Sequence, residues 1–245
     1  MVVALPHSGG VARLRALSGR EELLLREAWS FDRALAVDLL KRVVVEGVEV
    51  LSATVYEFEL MLLALRRGVF GDRIVAAARC NTCGEQVDIE FGATDYLKDR
   101  SPRRSRDVSG GQQNGWFRLK DTDIEFRIPT ISDQIAAVST ADAAGALAEL
   151  CVKPSGAARL AARAMEGMAP PVSAPIEGKC PHCGDSIRLM FDVPVFVLRE
   201  LATQAALVYE DVHLLASRYH WSEERILDLP QDRRREYAEM VREGR

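Results

Sequence analysis

This chain is poor in cysteine, aromatics, lysine and histidine, and each shortage removes a class of protein. Five cysteines in 245 residues are too few for a disulfide-stapled scaffold and suit a reducing compartment. Aromatics make up 7% of the chain, and no apolar run approaches the ~18 residues of a membrane span. The start, Met1 to Pro6, carries no basic region and too short an apolar stretch for a signal peptide, so a cytoplasmic protein is expected. All but five of the 32 basic residues are Arg, which favours rigid bidentate contacts at protein surfaces. The net charge of −4 counts against a general nucleic-acid binder, whose affinity rests on neutralising phosphates.

Chemical signatures are missing too. The chain has no glycine-rich phosphate loop, no Gly-x-Ser-x-Gly and no His-Glu-x-x-His. His7, His182, His213 and His220 form no recognisable group, and His182 reads as a solvated turn residue. No small-molecule substrate and no catalytic residue is predicted.

What is present is a pair of knuckles. Cys80-Asn81-Thr82-Cys83-Gly84 and Cys180-Pro181-His182-Cys183-Gly184 each sit between short alternating strands. Aligned on the cysteines, both read C-x-x-C-G-acidic-x-apolar-x-apolar-x-Phe. Two thiolates on such a turn can hold one side of a tetrahedral Zn²⁺, and two pairs close a four-sulfur shell. Cys80, Cys83, Cys180 and Cys183 are therefore the predicted ligands of one shared structural zinc. Two readings compete with this: knuckle turns that bind no metal, and a redox C-x-x-C, which usually opens a helix rather than a hairpin. Cys151, in an apolar helical run, reads as a core residue.

The remaining pattern predicts an α+β, mainly helical chain. Residues 1–10 read as a flexible tail broken by Pro6, Gly9 and Gly10. Residues 11–97 read as a first pseudo-repeat: a strand, a helix capped by Ser18 and Glu21, a helix from Phe31 to Val45, and a helix capped by Thr54 and Glu57 that leads to the first knuckle. Residues 98–115, rich in Arg, Ser and Gly, read as a flexible loop. Residues 116–193 read as a second pseudo-repeat, because Leu14-Arg15 and Ser18 align with Phe126-Arg127 and Thr130, and a second knuckle follows. The two knuckle hairpins are expected to pair as a zinc-ribbon-like site. Residues 194–245 read as a helical extension without counterpart, one long helix through Tyr219 followed by shorter ones. Tyr219, Trp221, Ile226, Leu229 and Tyr237 are its predicted partner-binding residues, the alternative being that they fold back as core.

The run Val212 to Pro230, with Arg233 to Arg235 and Tyr237, resembles a family from contractile phage tails and related injection systems. Ala64 to Arg67 with Phe70 to Asp72 ahead of a knuckle, and Phe126 to Thr130 with Asp133, are similar to the same family. It is the T-even-type baseplate protein family, often described as a baseplate hub assembly chaperone. The resemblance implies a non-enzymatic assembly factor or minor structural component. Its partners would be hub or spike proteins, met in the bacterial cytoplasm during assembly and in the finished particle if it stays. It supplies no site residues. Two other classes remain: a zinc-ribbon nucleic-acid-binding regulator using Arg103, Arg104, Arg106 and Arg233 to Arg235, and a zinc enzyme, for which four thiolates leave no open position.

Overall fold

Alternating and capped segments of the sequence resolve into small antiparallel sheets and short helices. The computed structural model describes residues 1–103, 105–113 and 115–244, backbone only at 110–113, so Arg104, Asn114 and Arg245 lie outside the described residues. Strands β1 (Val2–Ala4), β2 (Val11–Leu14) and β3 (Val44–Glu46) form a three-stranded sheet in that order. Helices α1 (Gly19–Glu27) and α2 (Arg33–Val43) connect β2 to β3. Helix α3 (Val55–Phe70) follows, then the hairpin β4 (Arg73–Arg79) and β5 (Gln86–Gly92), then α4 (Ala93–Asp99).

A similar order of elements follows, with one more strand in its sheet. Strands β6 (Val108–Gln113), β7 (Trp116–Leu119), β8 (Glu125–Phe126) and β9 (Val152–Lys153) form a second sheet. Helices α5 (Ile131–Val138) and α6 (Ala143–Cys151) connect β8 to β9. Helix α7 (Ala158–Met168) leads to the hairpin β10 (Ala174–Lys179) and β11 (Ser186–Phe191), then α8 (Val193–Gln204). After a 3-10 turn at Ala205–Leu207 come α9 (Val208–Tyr219), α10 (Glu223–Leu227) and α11 (Gln231–Arg242).

The caps read from the sequence are built as expected. The Ser18 amide and hydroxyl donate to Glu21, and those of Thr130 donate to Asp133. Each cap is also held by an arginine six residues before its carboxylate: Arg15 forks onto Glu21 at 2.8 and 2.9 Å, and Arg127 forks onto Asp133. The amide of each arginine donates to the end of a returning helix, Arg15 to Val43 and Arg127 to Cys151, both at 2.9 Å. Such bidentate pairs fix orientation as well as adding stability.

Three expectations need correcting. Residues 1–10 are an ordered strand and turn rather than a flexible tail. The fully buried carboxylate of Glu57, on α3, accepts from the amides of His7 and Ser8 and the hydroxyl of Ser8, and so anchors the turn. Within 98–115, β6 pairs with β7, which main-chain hydrogen bonds achieve without an apolar pattern. The long helix expected after Pro194 bends at Ala205–Leu207, so its apolar stripe serves two helices facing different neighbours. One large core joins β1 to β3, α1 to α3 and α8, with Phe58, Met61, Leu62, Val197 and Leu201 fully or almost fully buried. A smaller core lies under β6 to β9 against α7.

Candidate metal centre

The two knuckle hairpins lie side by side, β4 against β11. Their registers match: Arg79 pairs with Gln86 before one knuckle and Lys179 with Ser186 before the other. In each turn the first cysteine's amide donates to an acidic residue's carbonyl, Cys80 to Glu85 at 2.9 Å and Cys180 to Asp185 at 2.8 Å. The glycine amide donates back, Gly84 to Cys80 at 3.0 Å and Gly184 to Cys180 at 2.9 Å. Gly84 and Gly184 sit at φ of 75° and 77°, a left-handed conformation that costs a residue with a Cβ atom.

This folding turns all four thiols toward one point. Cys80 Sγ lies 3.6 Å from Cys183 Sγ, and Cys83 Sγ lies 3.7 Å from Cys180 Sγ. All four sulfurs lie within 4.8 Å of one another, so they could hold a metal ion. The separations are far beyond the ~2.05 Å of a disulfide. Cys80 and Cys180 are buried and Cys83 and Cys183 face outward. Ala78, Val87 and Ile187 pack beneath the sulfurs with Ile89 and Leu189, so the thiols roof a small apolar cluster. Below it, Phe91 and Phe191, the last residues of the two aligned motifs, meet edge to face at 5.4 Å, and Tyr96 packs against both.

The electrostatics of the four thiols are uneven. Backbone amides of Cys83 and Thr82 donate to Cys80 and bring its pKa down to about 6. Cys183 also accepts an amide, from Asp185, yet crowding by the thiols of Cys80, Cys180 and Cys83 pushes it to about 12. Crowded thiolates repel, so a second and third ionise only with a cation between them. Cys151 is apart from this group, buried beside Arg127 and Asp133, and burial raises its pKa to about 11, as befits a core thiol.

The predicted partner residues divide. Tyr219 stacks on Trp221 at 5.1 Å, and Tyr237 stands edge-on to both, at 6.3 Å from Tyr219 and 5.4 Å from Trp221. All three are half-buried, as is Leu229, and Arg225 and Arg233 lie over Trp221 and Tyr237. Ile226 is fully buried, a correction: it faces the inner side of α10 and belongs to the fold. Nor do these helices hang free of the platform. Arg234 on α11, almost fully buried, pairs with Glu22 of α1 and with Asp211 of α9. Gln231 donates to Glu22 as well, and Arg235 reaches Gln204. Arg234 and Arg235 are thus committed to groups within the chain rather than open to phosphates. Pattern reading missed Trp29, which stands fully exposed between α1 and α2. An aromatic just past a helix end and just before the Asp32 cap was its one available signal.

The site and fold define a mixed α+β protein of small antiparallel sheets and helices, with two hairpins that converge four thiols. Residues 1–154 match the model of the T4 bacteriophage base plate protein family, and the chain belongs to that family. The match takes in residues 1–10, 98–115 and the first knuckle, and stops before the second knuckle and before the Val212 to Tyr237 run. No curated protein and no solved structure matches the chain. Membership implies contact with other base plate proteins. Among the described residues, no helix is long and apolar enough to cross a membrane.

Proposed function

We propose that this protein is a non-enzymatic assembly factor or minor structural component of the hub of a contractile baseplate, built from two diverged copies of one unit clamped by a structural zinc. The family match carries the baseplate part of this reading. The zinc part is supported by the donor set. Four thiolates about an ion with Zn–S of ~2.3 Å require sulfurs ~3.8 Å apart, close to the 3.6 and 3.7 Å found across the two knuckles. Such a shell has no open position for substrate or water, so the metal would hold the fold together. The duplication is supported by the recurring order of elements and by the Arg-to-cap forks at Glu21 and Asp133.

Each copy would supply half of the metal shell, and the ion would fix the hairpins on one another. The cluster of Tyr219, Trp221 and Tyr237, with Leu229 at its edge, would then meet a hub or spike protein. Aromatic side chains flanked by Arg commonly dominate interfaces. The test is co-purification with the baseplate proteins encoded alongside it, together with metal content. One zinc per chain is expected, and Trp221→Ala should lower partner retention while moving the melting temperature little. A large fall in melting temperature with retention intact would assign the cluster to the fold instead.

A further inference from the structure

The first half of the molecule hides its helix pair; the second does not. Helix α1 is covered by α8, the 3-10 turn, α9 and α10, and α11 adds Arg234 and Gln231 onto Glu22. Helix α5 packs on α6, and its outer side stays open. Ile131, Ile135 and Val138 share one side of α5 at three- and four-residue steps. Ile131 is fully buried in the main core, Ile135 is 50% exposed and Val138 73% exposed, so an apolar stripe runs out of the core into solvent. Helix α6, Ala-Ala-Gly-Ala-Leu-Ala-Glu-Leu-Cys, is apolar on every side except at Glu149, a pattern normally found in fully enclosed helices. Here only Cys151 is buried, and Leu150 is among the exposed large apolar residues.

Charge says what would cover this face. Residues 131–152 carry Asp133, Asp142 and Glu149 and no Lys, Arg or His. Asp133 is matched by Arg127, whereas Asp142, which caps α6 by accepting from the Gly145 amide, and Glu149, which accepts from the Gly156 amide, are exposed and have no ion pair among the described residues. On the first half, the corresponding helix pair is met by α11, an Arg-bearing amphipathic helix whose Arg234 answers Glu22. We infer that the α5–α6 face docks a basic amphipathic helix of another baseplate protein, its apolar side on Ile135, Val138 and Leu150 and its Arg or Lys residues toward Asp142 and Glu149. This rests on the baseplate reading above, and it adds a second docking face distinct from the Trp221 cluster.

The test is photo-crosslinking in the full chain during particle assembly, with benzoylphenylalanine at position 138 and, separately, at position 221. The expected result is an adduct at 138 whose mass-mapped peptide is an Arg- or Lys-bearing helix of a different baseplate protein. In addition, Ile135→Glu should lower incorporation about tenfold with the melting temperature unchanged. Adducts at 221 with none at 138, or adducts at 138 that map to a second copy of this chain or to an acidic segment, would overturn the inference while leaving the baseplate reading standing. Adducts at neither position, with incorporation failing outright, would sink both. If Ile135→Glu unfolds the chain, Val138→Lys, at the most exposed position of the stripe, replaces it and should repel the basic helix to the same extent.

Discussion

Two surfaces of this molecule occupy corresponding places and have gone opposite ways. At the knuckles the halves are nearly superimposable in pattern: the same pairing register, the same turn hydrogen bonds, the same left-handed glycine, and Phe91 set against Phe191. At the helix pairs they differ in chemistry at the same position. Glu22 lies four residues after the Ser18 cap and takes Arg234 and Gln231; Gln134 lies four residues after the Thr130 cap, and its buried Oε1 has no donor among the described residues. A four-sulfur shell tolerates no drift in any member, because each ligand is one of four that must be met at once. A helix face tolerates drift provided something else covers it. The difference teaches that the two hairpins share their geometry where they meet each other, and that the two helix pairs differ where each faces a different neighbour.

The sharpest way to break the comparison is at the metal. Cys80→Ser and Cys180→Ser remove equivalent members of the proposed zinc shell from the two hairpins, so both should lose zinc and destabilise the hairpins by the same amount. Structural zinc contributes ~10 kcal/mol or more in small domains, so the loss should dominate any other single substitution. Metal content and calorimetric melting check this. A normal melt in either variant, or a large effect from one half alone, would mean that the knuckles are not joint owners of one ion.

The next effect in size tests the helix pairs. Arg234→Met removes the most deeply buried cation from Glu22 and Asp211, leaving them Arg235 and Arg242 at the edge, and should cost about 3 kcal/mol by denaturant unfolding. Gln134→Leu removes a polar atom that has no donor, so it should be near neutral or stabilising. Equal effects from the two substitutions would erase the distinction between the covered and the open pair.

A smaller effect comes from acid. Burial alone would raise Glu57, but the amide and hydroxyl of Ser8 and the amides of His7 and Thr54 outweigh it and hold its pKa below the ordinary value. A carboxylate whose pKa is depressed on folding stabilises the fold fully above its unfolded pKa, and that stability drains away as pH falls through the folded value. Glu57→Gln should therefore cost about 1–3 kcal/mol at neutral pH and flatten the acid limb of the stability profile. Asp133, on the other half, is depressed too, with burial opposed by the Arg127 fork and the Thr130 cap. Asp133→Asn should flatten the same limb.

Much of this was legible because the signals were local. A C-x-x-C-G turn between alternating strands, or a Ser or Thr followed three residues later by an acid, declares itself within a few residues, and the spacing of the knuckles pointed to the thiol cluster. What escaped was decided at a distance. Nothing within residues 1–10 says that Glu57 will bind the turn at His7 and Ser8. The three consecutive arginines at 233–235 look alike in the sequence, yet Arg234 is buried on two carboxylates while Arg233 lies over Tyr237. Ile226 and Trp221 were grouped by apolar character, and only the docking of α10 separates a core residue from a surface one. Strand β6 was hidden for the same reason, because backbone pairing leaves no mark on a Gly- and Gln-rich segment.

The smallest effect tests the knuckles without touching a ligand. Gly84→Ala and Gly184→Ala each place a Cβ atom where nothing lies within 4 Å, so crowding is not involved and only the left-handed backbone is penalised. That penalty is about 1 kcal/mol per residue. Because the two turns have φ values of 75° and 77° and the same hydrogen bonds, the two substitutions should lower the melting temperature equally and leave zinc content unchanged. They should also add when combined, since each strains its own turn. A combined loss well beyond the sum would reveal that the turns communicate through the ion, so that straining one already loosens the grip of the other. A clear inequality between the single variants would show that one hairpin carries the metal site and the other merely completes it.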